Sequence, residues 1–80
     1  MSLTPIDDQA WTGPITLTMR EFIQVWEGQL VYVAFGATAP TGAQDGAKLR
    51  EESQMICESG QVLWFRAAVG RASVYRGEFK

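Results

Sequence analysis

Apolar and polar residues alternate over several short stretches of this chain, and a period of two residues is typical of β-strands. Gly, Pro and Asp-Gly turn signals separate these stretches roughly every ten residues, as in antiparallel sandwiches and barrels. The sequence therefore predicts an all-β fold, a small antiparallel sandwich or barrel of jelly-roll-like form with about six short strands. The predicted strands are Ile15–Thr18, Phe22–Trp26, Leu30–Phe35, Gln54–Glu58, Gln61–Ala67 and Ala72–Phe79.

Residues 18–28 allow two interpretations. Thr18 and Glu21 fit a capping box, and the apolar residues that follow recur at helical spacing. Against a helix, two runs rich in β-forming residues flank a short link that contains Gly28. This arrangement favours a β-hairpin over residues 22–35, and the helix stays open as the alternative.

The first fourteen residues differ in character from the rest. Met1–Pro14 contains two prolines and few residues able to form a core, which predicts an extended N-terminal arm. Ile6 and Trp11 are unusual in a free arm, so they are expected either to fold back on the domain or to insert into a neighbouring molecule. The predicted organisation is an arm over residues 1–14 and a single β domain over 15–80, with a loop at Gly36–Gly46. The polar segment Lys48–Ser53 is expected to be either a turn or one helical turn.

Composition excludes several classes of function. The 80 residues include no histidine and a single cysteine, so the usual general base, disulfides and cysteine-rich metal sites are excluded. Glu51 and Glu52 diverge on any regular element, and we predict neither enzyme activity nor a catalytic, cofactor or metal site. Cys57 lies in an apolar run and is expected to be a buried, inert thiol.

Charge and hydropathy bear on the partners. The net charge is −2, and the seven basic residues are scattered among acids, which argues against nucleic-acid binding. The sequence has no run of 18 apolar residues and no signal-peptide pattern, so no membrane segment is predicted.

The aromatic content points to association with another subunit. Nine aromatic residues stand in 80, and a small sandwich cannot bury both faces of every strand. On the strand at 61–67, Leu63 and Phe65 form the better core face, and Trp64 shares the other face with Arg66. We therefore predict a homo-oligomer whose interface residues are Ile6, Trp11, Trp26, Tyr32, Trp64, Arg66 and Tyr75.

Residues 23–79 carry a pattern that extends this prediction. Val33–Thr41 (VAFGATAPT), Asp45-Gly46 and Leu49 are followed by Glu58–Ala67 (ESGQVLWFRA) and a final strand with Glu78. This pattern resembles small β-rich structural proteins of tailed bacteriophages and prophages. The resemblance implies a non-enzymatic virion protein, assembled in the bacterial cytoplasm, that acts as a capsid decoration, cement or tail-associated component. It also implies capsid or tail proteins as partners and favours a trimer.

Two other functions remain as alternatives. A carbohydrate or small-ligand binding module would use exposed Trp and Tyr side chains as stacking platforms, with Trp26, Gln24, Trp64 and Arg66 as the candidate residues. A cupin-like enzyme is the weakest alternative, because the chain lacks histidine.

Overall fold

Strands form all of the regular structure in the part of the chain that the structure describes. The computed structural model describes residues 2–28, 30–42 and 46–78, so Met1, Gln29, residues 43–45 of the predicted loop and Phe79 of the predicted last strand lie outside it. No helix in the described ranges is long and apolar enough to cross a membrane. The strands are β1 (Ser2–Asp7), β2 (Thr12–Thr16), β3 (Glu21–Glu27), β4 (Leu30–Phe35), β5 (Ala47–Arg50), β6 (Gln54–Cys57), β7 (Val62–Ala67) and β8 (Arg71–Glu78).

These strands build two packed sheets of four strands each. Sheet A has the order β1-β8-β3-β6, and sheet B has the order β2-β7-β4-β5. Each pairing is antiparallel. The chain crosses repeatedly from one sheet to the other, which is the arrangement of a jelly roll. The all-β prediction is confirmed, with eight strands in place of the expected six.

Apolar side chains fill the space between the sheets. Leu63 and Phe65 of β7 are fully buried, as their alternation with Trp64 predicted, and Val31 and Val33 of β4 lie beside them. Sheet A contributes a matching row from β3 and β8, in which Ile23, Val25, Ala72 and Val74 point inward. The core is therefore made by alternate residues of the central strands.

The two strands that sequence reasoning missed are edge strands. β1 contains Pro5, whose missing N–H is tolerated where a strand has only one neighbour, and β1 pairs with β8 alone. Most of β5 was expected to belong to a polar turn or to one helical turn, because Leu49 is its one large apolar residue. The expected strand at Ile15–Thr18 is β2, another edge strand, and it begins earlier, at Thr12.

The first residues of the chain do not form an arm. Ser2–Asp7 pairs with β8 along its whole length, and Ile6 points into the core with 4% of its surface exposed. The predicted boundary between Pro14 and Ile15 falls inside β2. Of the two alternatives for Ile6, folding back on the domain is the one observed, because its side chain completes the inner face of sheet A.

Residues 21–27 form a strand, but the predicted hairpin is wrong. β3 lies between β8 and β6 in sheet A, while β4 lies between β7 and β5 in sheet B. The turn at Gly28 therefore joins two layers and not two paired strands. Ser59-Gly60 does the same between β6 and β7. A short turn signal has the same form in both situations, so the sequence does not distinguish them.

Candidate functional site

The seven predicted interface residues occupy three places. Ile6 belongs to the core, and therefore has no surface to offer a partner. Trp26 and Tyr75 lie on the outer face of sheet A, where their rings are in contact. The remaining four lie on or beside the outer side of sheet B and are Trp11, Tyr32, Trp64 and Arg66.

The outer face of sheet A carries a continuous apolar surface, which we call the sheet A face. It consists of side chains from all four strands. Leu3 of β1 lies opposite Tyr75 of β8, and Phe22 of β3 lies opposite Ile56 of β6. Trp26 completes the set near the end of β3. The exposed fractions are 52% for Leu3, 53% for Trp26 and 50% for Ile56.

Ring contacts fix the aromatic part of the sheet A face. The ring centroids of Trp26 and Tyr75 are 5.6 Å apart with a tilt of 31°. Phe22 meets the other side of Tyr75 at 6.2 Å, with its ring inclined at 73°. A register shift between Val25 and Glu27 accompanies the placement of Trp26, as bulges commonly re-aim a side chain. The three rings therefore present a fixed surface.

The charged residues of the sheet A face lie toward its two ends. At one end Asp7 and Arg71 are cross-strand neighbours, and Glu27 lies opposite Ser73 on the next pair of strands. At the other end the exposed side chains of Arg20 and Glu58 form an ion pair at 2.9 Å. Toward the middle of the face, Gln24 is polar but uncharged, and its amide donates to the Glu52 carbonyl at 3.4 Å. The middle of this surface therefore offers apolar and neutral groups to whatever covers it.

The outer face of sheet B is covered by the chain itself. Trp64 is only 8% exposed, and its indole N–H donates to the Gly36 carbonyl at 3.0 Å. On its other side, a Cβ added to Gly13 would lie 2.9 Å from the Trp64 ring. Trp11 donates to the Gly42 carbonyl at 3.2 Å. The link between β1 and β2 and the loop after β4 thus close over this face.

Hydrogen bonds of Arg66 and Asp8 hold the link between β1 and β2 against sheet B. The Arg66 guanidinium donates to the Asp8 backbone carbonyl at 2.7 Å, and the Asp8 carboxylate accepts from the Gly70 N–H at 2.9 Å. This backbone hydrogen bond, followed by one from the Gln9 side chain, holds the pKa of Asp8 below its ordinary value. Arg66 is therefore already engaged within the molecule.

The interior between the sheets has little capacity for chemistry. The buried residues of the described ranges include no polar or charged side chain. Cys57 is 1% exposed, and burial, with a smaller effect from Glu21 and Glu58, raises the pKa of its thiol. At one end of the interior Arg76 forms two hydrogen bonds with Glu21, at 2.8 and 2.9 Å. Within the described ranges, no three residues of the metal-binding types come together.

An open groove of about 550 Å³ lies beside the loop that follows β4. Its described lining residues are apolar or neutral, with Phe35 as the largest side chain and Thr38 and Thr41 as the hydroxyls. These groups supply neither an acid nor a base.

The predicted carbohydrate platform does not form. Trp26 and Gln24 belong to β3 of sheet A, whereas Trp64 and Arg66 belong to β7 of sheet B. The two pairs therefore lie on opposite outer faces of the sandwich. The prediction failed because it depended on pairing between the elements that contain them, which the strand pattern alone does not determine.

Comparisons with known proteins identify one solved structure with a similar fold. No protein-family model matches the chain, and no curated protein matches it. A solved structure of hydroxypropylphosphonic acid epoxidase from S. wedmorenis is similar in fold, with a TM-score of 0.61 and 23% sequence identity. The match covers 98% of this chain and 44% of the epoxidase chain. This chain thus spans less than half the length of the protein that it resembles.

This comparison overturns the expected function. The fold is shared with part of an enzyme, and the interpretation as a phage capsid or tail structural protein is wrong. The sequence pattern behind that interpretation consists of strand and turn signals, which any jelly roll needs. At this level of identity the likeness concerns the fold alone.

Sequence reasoning missed three members of the sheet A face, which are Leu3, Phe22 and Ile56. Phe22 alternates with Gln24 and Trp26, while Ile23 and Val25 between them form an entirely apolar face. That alternation was the available signal. Leu3 was hidden because its strand was not recognised, and Ile56 lies in a strand of only four residues.

Proposed function

We propose that this chain is a non-catalytic association domain that binds a second copy of itself through the sheet A face. The observation that carries the proposal is the group of half-exposed apolar side chains around the Trp26–Tyr75–Phe22 ring cluster. Exposed apolar surface of this kind is uncommon on soluble monomers and marks interaction sites. Aromatic residues are also enriched in interfaces.

The contrast between the two outer faces supports this choice of surface. Tyr32 and Trp64 on sheet B are 7% and 8% exposed because the chain covers them, whereas Trp26 on sheet A is 53% exposed. The aromatic residues of sheet B are thus covered within the molecule, whereas those of sheet A leave apolar surface in contact with water. A partner that covers the sheet A face removes that surface from water, which is favourable.

A non-catalytic role is favoured by the chemistry of the available side chains. The interior that a jelly-roll enzyme would use for a ligand is filled here by Phe65 and its apolar neighbours. The chain has no histidine, and the carboxylate of Glu21 is held by Arg76. The similar protein is an epoxidase by its title; we infer that this chain shares its scaffold and not its reaction.

A second copy suits the sheet A face because the middle of the face carries no charge that would repel the same charge on the other copy. A two-fold contact of a flat face with itself is closed and needs no further subunit, whereas the sequence had favoured a trimer. Strand spacing of about 4.8 Å and rise of about 3.3 Å per residue give four strands of six residues roughly 380 Å² of flat area. Stable interfaces bury about 800 Å² per partner, so we expect a weak, concentration-dependent dimer.

The test is the oligomeric state of Trp26→Ser. Burying the exposed half of a tryptophan, about 125 Å², contributes at most about 3 kcal/mol per copy and about 6 kcal/mol per dimer, and ordering costs reduce that value. We expect sedimentation equilibrium to give a dimer for the native chain and at least a ~10-fold weaker association for Trp26→Ser, which corresponds to about 1.4 kcal/mol.

Phe35→Ser is the matched control, because Phe35 is 47% exposed and lies on β4 of sheet B. It should dimerise like the native chain. A native chain that stays monomeric at millimolar concentration would refute the proposal, and so would equal effects of the two substitutions. A trimer that depends on Trp26 would support the sheet A face as the interface but would contradict the two-fold arrangement.

A further inference from the structure

The two sheets carry opposite charges. The strands of sheet B contain three basic residues and no acidic one, a balance of +3, and these residues are Lys48, Arg50 and Arg66. The strands of sheet A contain two arginines and four acids, a balance of −2. Although the whole chain is slightly acidic, its sheet B side is basic.

Register gathers the basic residues on one side of sheet B. Tyr32 of β4 lies opposite Lys48 of β5 on one flank and Arg66 of β7 on the other. Arg50 follows Lys48 after two residues and lies opposite Leu30. The residue between them, Leu49, is buried in the core, so Lys48 and Arg50 both point outward.

Lys48 and Arg50 are available to a partner. Both are exposed, and the ion pairs found within the described residues join Arg20 to Glu58 and Arg76 to Glu21. The acidic residues Glu51 and Glu52 come next in the chain, in a turn whose Glu52 N–H donates to the Val25 carbonyl of sheet A. The turn thus leads away from β5 toward the other sheet.

The free edge of β5 supplies the second requirement for binding. β5 ends the order of sheet B and has β4 as its neighbour among the described strands. On an edge strand, alternate N–H and C=O groups point away from the sheet and can pair with an added strand. At the end of β5 the Arg50 carbonyl already accepts from the Ser53 N–H at 2.9 Å, so it is not among the groups offered to a partner. Basic side chains on an edge prevent pairing with a second copy of the same edge, and they attract a strand of opposite charge.

We propose that β5 binds an extended acidic segment of a partner protein as an added strand of sheet B. Alternate residues of an extended chain are about 6.7 Å apart on one side, so two carboxylates separated by one residue match Lys48 and Arg50. Directly opposed residues have their Cβ atoms about 5 Å apart, which is suitable for ion pairing. Backbone hydrogen bonds give affinity, and the alternating carboxylates give specificity.

This binding surface is separate from the sheet A face, and the inference does not depend on dimerisation. It therefore has its own test with a fluorescein-labelled peptide of eight residues that alternates threonine and glutamate. We expect fluorescence anisotropy to show saturable binding by the native chain, and at least a fivefold loss of affinity for each of Lys48→Glu and Arg50→Glu.

Arg71→Glu is the matched control, because Arg71 is an exposed basic residue of sheet A; its affinity should stay within twofold of the native value. A peptide with N-methyl groups on alternate backbone nitrogens keeps the charge and blocks strand pairing, so it should bind at least fivefold more weakly. A version with lysine in place of glutamate should not bind.

Four results would overturn the inference. They are no peptide binding at millimolar concentration, equal binding of the N-methylated peptide, equal losses for Arg71→Glu and Lys48→Glu, and tighter binding of a single-stranded oligonucleotide than of the peptide. Because each substituted residue is exposed, a circular dichroism spectrum like that of the native chain will show that a loss of binding is not a loss of folding.

Discussion

The turn at Gly28 provides a quantitative test of the fold. Gly28 joins β3 to β4 with φ at +108°, a conformation that costs other residues about 1–2 kcal/mol. A Cβ added at this position would lie 2.6 Å from the Cβ of Ala72 and 3.2 Å from its Cα. Overpacking of this kind costs about 1–3 kcal/mol. We therefore expect Gly28→Ala to lower the free energy of unfolding by about 2–5 kcal/mol, out of about 4–12 kcal/mol for a domain of this size.

Gly60→Ala separates the two contributions. Gly60 has a similar φ of +91°, and a Cβ added there would meet nothing within 4 Å. Its substitution should therefore cost only the backbone strain, about 1–2 kcal/mol. Combining Gly28→Ala with Ala72→Gly should remove the closest contact, that with the Ala72 Cβ, so the two changes should be non-additive.

Urea unfolding followed by tryptophan fluorescence measures each free energy. Unfolding costs for Gly28→Ala and Gly60→Ala that agree within about 0.5 kcal/mol would refute the packing of Gly28 against Ala72. Additive effects in the double variant would contradict it independently.

Three further measurements address single side chains. The Gly70 N–H and the Gln9 side chain hold the pKa of Asp8 low in the folded chain, so the stability that this carboxylate provides is present at neutral pH and lost as the pH falls through its folded-state pKa. Asp8→Asn should accordingly lower Tm at neutral pH and have no effect in strong acid, and a constant difference would contradict this. Because Cys57 is buried with a raised pKa, iodoacetamide at mildly alkaline pH should react at least ~10-fold faster with it in urea than in buffer; equal rates would show an accessible thiol. Trp64→Phe loses the hydrogen bond to Gly36 and should cost about 1–3 kcal/mol in urea unfolding, whereas Trp26→Phe in the monomer should change stability by less than about 0.5 kcal/mol.

The central strands were predictable because their residues carry both a strong β preference and a clear alternation. β7 shows this best, since Leu63 and Phe65 face the core and Arg66 does not. Edge strands need fewer apolar residues and tolerate proline, so Pro5 concealed β1 and the polar composition of Ala47–Arg50 concealed β5. Prediction succeeded for strands that have a neighbour on each side in the sheet and one face packed in the core.

Strand pairing and the candidate site were harder to predict, for one physical reason. Local turns do not specify which sheet the next strand joins, and therefore Trp26 and Trp64 were expected on one face and lie on two. Trp64 was predicted to be an interface residue, and it is buried because Gly13 and Gly36, both distant in sequence, close over it. Whether an aromatic residue is exposed in a small sandwich therefore depends on whether residues distant in the sequence pack over it.

The position of β8 between β1 and β3 has a consequence for biosynthesis. Among the eight strands, β8 is the last in chain order, and it joins β1 to the rest of sheet A. β1 therefore has no partner strand until β8 has been synthesised, although β3 can already pair with β6. Sheet A is completed only after all eight strands are available. With contacts this distant in sequence, refolding is expected on a timescale of milliseconds to seconds. Until then, unpaired strand edges and apolar surface are exposed, and both favour aggregation.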